Sequence, residues 1–173
     1  MYEVDGDDRA IAIEGVPASS PGAPLPIVMA NEHVVVLAYL ASNPDPDWDG
    51  TYVRVVDDDS LEPAVVVRFD RPSAHMLGPP NDETLHGHPL WNRGLSFYGI
   101  FRVEHSSWIR GLRAINSVHD QANSKAFSEQ THFIFTFHDT TFECIAASIT
   151  AQVHPGPLTE VTNTMRQMLH SEV

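Results

Sequence analysis

The chain has 173 residues, of which 42% are hydrophobic and 19% charged, a composition typical of one compact globular domain. Ten basic residues stand against 23 acidic ones, which gives a formal net charge of -13 with the ten histidines neutral. Such a charge repels phosphates and anionic lipid headgroups, so it excludes nucleic-acid binding and membrane-surface binding as functions. We predict one domain over residues 1–173.

Cysteine and lysine are each used once. With Cys144 alone, neither an intramolecular disulfide nor a cysteine-rich zinc site can form. The N-terminal residues lack the basic and apolar regions of a secretion signal, and no apolar run approaches the roughly 18 residues of a membrane span. These features predict a cytoplasmic protein. The single lysine, Lys125, against nine arginines is typical of a GC-rich bacterial genome.

The first half of the sequence alternates short β-branched runs with acidic turns. Residues 1–62 hold 13 acids and two arginines, a net charge of -11, which predicts a solvated acidic face. Residues 1–25 are predicted to be irregular, apart from a short strand over 10–14. The apolar runs predict an antiparallel meander of strands over residues 26–30, 33–41, 51–56 and 63–69.

The second half begins with a stretch rich in proline and glycine, residues 71–95, which predicts a long loop. A strand over 98–105 then leads into a helix capped by Ser106 or Ser107. The alternation of residues 131–150 predicts a hairpin around Asp139 and Thr140. An amphipathic helix that packs on the sheet is predicted after Pro157, where Leu158, Val161, Met165, Met168 and Leu169 share one stripe.

These elements together predict an α+β fold. The sheet is expected to be mainly antiparallel, or an incomplete barrel, with six to eight strands and two principal helices. No phosphate-binding loop, dinucleotide-binding glycine motif or zinc-protease helix motif occurs in the sequence.

A histidine pair in the long loop is the first candidate site. His86 and His88, separated by one glycine, could present two imidazoles to a divalent transition metal. The third ligand would then come from Glu104, His105, His119, His138 or Glu143. The alternative is that both histidines bond to the backbone of the loop.

The predicted helix and hairpin supply the second candidate site. Leu112, Asn116 and His119 are spaced to share one helix face, which predicts that an amide and an imidazole lie toward the interior. His138 and Glu143 flank the hairpin turn, where a carboxylate can orient an imidazole for acid–base catalysis. We therefore expect His119, His138, Glu143, Asn116 and Glu104 around one cleft. The alternative is a structural polar network that fixes the helix against the sheet.

Arginines and the single cysteine complete the candidates. Arg102, Arg110 and Arg113 form a local basic excess that could bind a carboxylate or phosphate of a small ligand. Neutralisation of surface acids is the alternative for them. Cys144 is expected to be a buried apolar residue, with a thiolate nucleophile as the alternative.

Three segments carry a resemblance. HPLWNRGL at 88–95, VEHSSWIRGLRAINSVH at 103–119 and HFIFTFHDTTFECIA at 132–146 are similar to a family of bacterial hypothetical proteins. The similarity covers roughly the C-terminal half of the chain. The family has no known activity, so the resemblance implies no catalytic residue.

Two functions fit these observations. The first is a cytosolic small-molecule enzyme or ligand-binding protein, with or without a metal, whose histidine-rich cleft lies between the 71–95 loop, the 107–119 helix and the hairpin. The second is a noncatalytic interaction or accessory protein, whose acidic N-terminal face binds a basic partner. The sequence leaves the reaction open.

Overall fold

A computed structural model of the chain describes residues 2–43, 47, 49, 51, 56–57, 59–60, 62–119 and 127–170. Within these residues the architecture is α+β, as predicted, with two antiparallel sheets and two principal helices and no closed barrel. In chain order, the strands are β1 (Arg9–Ala12), β2 (Ile27–Ala30), β3 (Val34–Leu40), β4 (Ala64–Asp70), β5 (Ala74–Gly78), β6 (Ile100–Glu104), β7 (Thr131–Thr136), β8 (Thr141–Ala146) and β9 (Ser148–His154). The helices are α1 (Ser107–Asn116) and α2 (Leu158–His170).

The two sheets pack face to face. One has five strands in the order β1-β6-β7-β8-β5, and the other has four in the order β2-β3-β4-β9. Three of the four strands of the predicted meander are present as β2, β3 and β4, which are consecutive antiparallel neighbours. Alternate residues of both sheets meet in an apolar core between them, contributed by Val35, Leu37, Tyr39, Val65, Val67 and Phe69 from one sheet and Phe133, Phe135, Phe142 and Cys144 from the other.

The outer face of the four-stranded sheet is covered by α2. Leu158, Val161 and Met165 of α2 are buried against alternate residues of β3 and β4. Every residue of β3 is therefore buried, which explains why its sequence is a continuous apolar run rather than an alternating one. The predicted C-terminal helix packed on a sheet is confirmed.

The outer face of the five-stranded sheet is covered differently. Two 3₁₀ helices, Asp82–Gly87 and Trp91–Arg93, bring Leu85, Leu90 and Leu95 onto Phe101, Val103 and Ile134 of the sheet. This layer is made of short segments, so polar side chains reach the sheet between its leucines.

The structure differs from three of the predicted segments or leaves them incomplete. The predicted loop over 71–95 contains β5 and both 3₁₀ helices. β5 is hard to predict because it is a short edge strand with no fully buried residue. The predicted hairpin is confirmed as β7 and β8, but β9 was missed, since only Ala147 separates it from β8 and no turn residue marks the boundary. The predicted strand over 51–56 lies mostly outside the described residues.

Helix α1 begins where it was predicted, with Ser106 as its N-cap. The expectation that Leu112, Asn116 and His119 face the interior is wrong, because α1 has no fully buried residue and both Asn116 and His119 are exposed. The helix meets the sheet through its first turn only, and Ile115 near its end is 72% exposed. No helix among the described residues is long and apolar enough to span a membrane.

Candidate functional site

A buried carboxylate lies at the centre of the outer face of the five-stranded sheet. Glu143 sits on β8 between Phe142 and Cys144, which point into the core, so the alternation of the strand directs Glu143 outward. The covering layer leaves it only 2% exposed. A carboxylate in such a place must be hydrogen bonded, because an unpartnered buried charge is strongly unfavourable.

A chain of hydrogen bonds links Glu143 to the start of α1. His132 Nε2 lies 2.8 Å from Glu143 Oε2, and His132 Nδ1 lies 3.0 Å from Ser106 Oγ. Ser106 Oγ also accepts a hydrogen bond from the Ile109 amide at 3.3 Å, as an N-cap does. His132 is 0% and Ser106 4% exposed, so this chain is closed to bulk solvent.

A second imidazole reaches the same carboxylate. His88 Nε2 lies 3.4 Å from Glu143 Oε1, while His88 Nδ1 accepts the Leu90 amide hydrogen at 3.1 Å. Because Nδ1 is an acceptor, the ring hydrogen of His88 belongs on Nε2. For His132 the hydrogen belongs on Nε2 because the carboxylate beside it can only accept, and Nδ1 is then left to accept the Ser106 hydroxyl.

Tyr2 completes the surroundings of Glu143. Its hydroxyl donates to Glu143 Oε2 at 2.6 Å. Burial alone would raise the pKa of Glu143, but hydrogen bonds from His132, His88 and Tyr2 lower it to about 2. Burial, with the Glu143 charge, raises the pKa of Tyr2. The carboxylate is thus ionised and the phenol is a neutral donor near neutral pH.

An aromatic pair covers this network. The rings of Tyr2 and Trp108 stack with centroids 5.0 Å apart and planes at 4°, and both meet the His132 ring edge-on at 5.2 Å. Beside the pair lies an open groove of about 850 Å³, which we call the α1 groove. It is lined by residues 2–5, Pro89, residues 107–108, residues 110–112 and Ile115.

An ion-pair cluster stands at the rim of the α1 groove. Asp8, which is 0% exposed, accepts hydrogen bonds from the Ser107 amide at 2.8 Å and the Ser107 hydroxyl at 2.7 Å. Arg110 Nη2 lies 3.2 Å from Asp8 Oδ1 and also pairs with Asp5. Arg110, predicted to bind ligand, therefore borders the α1 groove but is engaged with two carboxylates.

His138 belongs to a separate group. Its Nδ1 lies 2.7 Å from Asp82 Oδ2, and the Tyr98 hydroxyl donates to the same Asp82 oxygen at 2.5 Å. The hydrogen bond from Tyr98, together with that from His138, lowers the pKa of Asp82, and the pKa of Tyr98 rises to about 12. The Asp82 amide also bonds to the His138 carbonyl at 2.9 Å. This group fastens the first 3₁₀ helix to the β7–β8 turn.

The five residues predicted to share one cleft are dispersed. Glu143 is buried with His132, His138 is paired with Asp82, and Asn116 and His119 are exposed toward the end of α1. Glu104 forms an ion pair with Arg102 at 2.9 Å, with both side chains more than two-fifths exposed. Only Glu143 lies in the buried network.

The remaining predicted residues are placed as follows. Arg113 is exposed on α1, and Arg102 pairs with Glu104, which fits the alternative of neutralising surface acids. His86 is exposed, whereas His88 is 3% exposed and hydrogen bonded within the network. Among the residues that the structure describes, no three His, Cys, Asp or Glu side chains are arranged to hold a metal ion.

The sequence reasoning missed four members of the site. His88 was considered as a metal ligand or as a histidine bonded to the loop backbone, and the second alternative agrees with its bond to the Leu90 amide. Ser106 was considered only as a helix cap, while His132 and Tyr2 were not singled out. A signal for His132 was present: in the β7–β8 register it is paired with Ile145, diagonal to Glu143 on the same face. No local signal pointed to Tyr2, which is far away along the chain.

Comparisons with known proteins were made for the whole chain. No family model, no curated protein and no solved structure matches it. The function of the protein must therefore be inferred from the geometry of the site.

Proposed function

We propose that this protein is a serine-dependent acyl-transfer enzyme, with Ser106 as nucleophile, His132 as general base and Glu143 as the group that orients His132. The observation that carries the proposal is the continuous chain from Ser106 Oγ through His132 to Glu143, at 3.0 and 2.8 Å. A nucleophile, a base and an orienting acid within hydrogen-bond reach are the requirements for activating a serine hydroxyl.

The chemistry follows from the hydrogen positions. Ser106 Oγ attacks the carbonyl carbon of an ester, and its proton passes to His132 Nδ1. The resulting imidazolium lies against the ionised carboxylate of Glu143, which stabilises it. The ester bond then breaks, and His132 gives the proton to the leaving alcohol. Water, deprotonated by His132, hydrolyses the acyl-enzyme and restores Ser106.

The position of Ser106 on its helix suits this reaction. At the N-cap of α1 it lies beside the first backbone amides, where the helix dipole favours developing negative charge. Ser107 donates its amide to Asp8, and Ile109 donates to Ser106 itself. Trp108 lies between these two residues, and we assign its backbone amide as the donor to the oxyanion.

The α1 groove supplies a place for the substrate. Its walls include Trp108, Leu112 and Ile115, so it favours an apolar acyl or alcohol group. Because Tyr2 and Trp108 separate the groove from His132, access to Ser106 requires that one of these rings moves. The reaction is hydrolysis of a small carboxylic ester, and we place it in the cytosol of a bacterium.

Energetics favour a functional reading of the network over a purely structural one. Replacing a buried ionic group by apolar residues of similar volume is often neutral or stabilising. The opposite face of the molecule is covered by α2 through an apolar cluster, to which Asn31 and Arg68 add hydrogen bonds to the carbonyls of Leu169 and Met168. A carboxylate with two imidazoles is therefore a costly way to attach a covering layer, and catalysis gives a reason for it.

A fluorophosphonate probe tests the proposal, because it reacts with activated serines and leaves a stable adduct. Mass spectrometry of the labelled wild-type protein should locate the adduct on Ser106 and not on its neighbour Ser107. Ser106→Ala should abolish labelling, and His132→Gln should slow it by about a hundredfold or more. Ser148→Ala, which removes an exposed serine of the other sheet, is the matched control and should label normally.

A cysteine substitution separates catalysis from structure. In Ser106→Cys the new thiol should be alkylated by iodoacetamide, at a rate that falls when His132→Gln is added. The native Cys144 is an internal reference, because burial raises its pKa to about 12 and leaves it 0% exposed. Absence of labelling at Ser106, together with an alkylation rate independent of His132, would contradict the proposal.

A further inference from the structure

The side chain of Tyr2 is held in the manner of a ligand. Its ring lies against two aromatic surfaces, stacked on Trp108 and edge-on to His132, and its hydroxyl donates to the Glu143 carboxylate. None of these contacts depends on the covalent link of Tyr2 to the chain. A free hydroxylated aromatic ring in the same slot would make all three.

The segment that carries Tyr2 is attached in a way that allows it to leave. Between Tyr2 and the buried Asp8, residues 5–7 are exposed, and Gly6 has open space around it. Val4 is partly buried against the apolar cluster of the covering layer, the Asp5 amide bonds to the Ser107 hydroxyl at 3.1 Å, and the carbonyl and carboxylate of Asp5 are held at the surface by Arg93 and Arg110. Exposed contacts of this kind are weak, whereas Asp8 fixes the segment at the start of β1.

We propose that the slot occupied by Tyr2 is the binding site for a hydroxyaryl group of the substrate, which displaces Tyr2 when it binds. This inference rests on the proposed function, in that it places the ring edge-on to His132, whose Nδ1 contacts Ser106. The substrate class is then an ester that carries a phenol.

The chemistry of the slot selects the hydroxyl. The hydroxyl of Tyr2 donates its one hydrogen to an ionised carboxylate, and the flanking imidazoles already use their Nε2 hydrogens on that carboxylate. A ring bearing a hydroxyl replaces the donor that Tyr2 withdraws, whereas a ring without one leaves the carboxylate short of a hydrogen bond. A ring bearing a carboxylate is repelled by Glu143. The slot therefore distinguishes phenols from plain arenes and from aryl acids.

Because Tyr2 must be displaced, the apparent affinity of the slot for a free ring is lowered. Tyr2 competes as a tethered group, so a free ring binds only to the fraction of molecules in which the segment has opened. Shortening or weakening Tyr2 should consequently strengthen binding of the free ring. This relation gives the proposal a direct test on the full-length protein.

The probe is p-cresol, the side-chain analogue of tyrosine, with toluene as its counterpart without a hydroxyl. Binding is followed by NMR through the indole signal of Trp108, which is assigned with Trp108→Phe. Tyr2→Ala should bind p-cresol at least about tenfold more tightly than wild type does, and about tenfold more tightly than it binds toluene. Adding Glu143→Gln to Tyr2→Ala should remove most of the preference for p-cresol.

A second variant controls for the case in which Tyr2→Ala loses the slot because it misfolds. Tyr2→Phe keeps the ring in place but removes the hydroxyl, so it should also bind p-cresol more tightly than wild type. Equal affinity of p-cresol and toluene in Tyr2→Ala, or no gain over wild type in either variant, overturns the inference.

The two proposals fail separately. Binding of p-cresol without fluorophosphonate labelling of Ser106 would remove the acyl-transfer function and leave the slot. Labelling of Ser106 without p-cresol binding to either Tyr2 variant would leave the acyl-transfer function and remove the slot.

Discussion

The Glu143 network should make folding stability depend on pH in acid solution. The pKa of Glu143 in the folded protein is about 2, against an ordinary value of 4.5. At about 1.4 kcal/mol for each pH unit, this difference corresponds to a contribution of about 3 kcal/mol to the free energy of unfolding. Because Glu143 is only 2% exposed, solvent screening reduces this contribution little.

The direction of this pH dependence follows from the number of protons that the folded and unfolded states bind. The folded pKa is lowered, so between about pH 4.5 and about pH 2 the unfolded chain binds more protons than the folded one. The stabilisation from Glu143 is therefore complete above about pH 5 and is lost as the pH falls toward 2. About 2 kcal/mol of it should disappear between about pH 6 and about pH 3.

Urea unfolding at a series of pH values, at constant ionic strength, measures this contribution. Glu143→Gln cannot ionise, so its free energy of unfolding should fall less steeply than that of wild type over that interval. Glu14→Gln, which changes an exposed glutamate, should follow the wild-type curve. Parallel curves for wild type and Glu143→Gln would refute the reasoning, because Glu143 would then titrate alike in both states.

Two further predictions concern the covering layer and the core. Gly94 has φ +101° and a Cβ built there would lie 2.1 Å from the Ala10 carbonyl oxygen, so Gly94→Ala should lower the free energy of unfolding by about 2 kcal/mol or more. Gly22→Ala, at an open position, should change it by less than about 0.5 kcal/mol, and equal effects of the two would contradict the clash. Cys144 should react with Ellman's reagent only after unfolding, because its thiol is buried and has a pKa of about 12; rapid reaction of the native protein would show that this part of the core opens.

Much of the fold could be predicted because the hydrophobic pattern within each strand or helix indicates its type. The continuous apolar run of β3 indicates a strand buried on both faces, and the phenylalanines at alternate positions of β7 indicate the face that packs in the core between the sheets. The predicted boundaries of strands were wrong where the local sequence pattern was weak. β5 and β9 were missed because the first is a short edge strand and the second follows β8 after a single residue.

The site was harder to predict because its members are far apart in sequence. Ser106 and His132 are separated by 26 positions, and Tyr2 and His132 by 130. A helix periodicity suggested that Asn116 and His119 face inward, but only the first turn of α1 meets the sheet. Glu143 was among the predicted site residues and lies in the buried network, whereas its partners depend on how the N-terminal segment and the 3₁₀ helices cross the sheet.

The two outer faces of the molecule differ in a way that bears on function. Apolar side chains of α2 seal one face, and each such contact adds stability without specifying a reaction. The other face is closed by short segments that meet over Glu143, where hydrogen bonds take the place of apolar contacts. A covering layer of this kind opens locally at a lower free energy than a packed helix does. Ser106 therefore lies beneath a layer that can open locally, and Tyr2 is part of that layer, as the proposed function and the proposed slot both require.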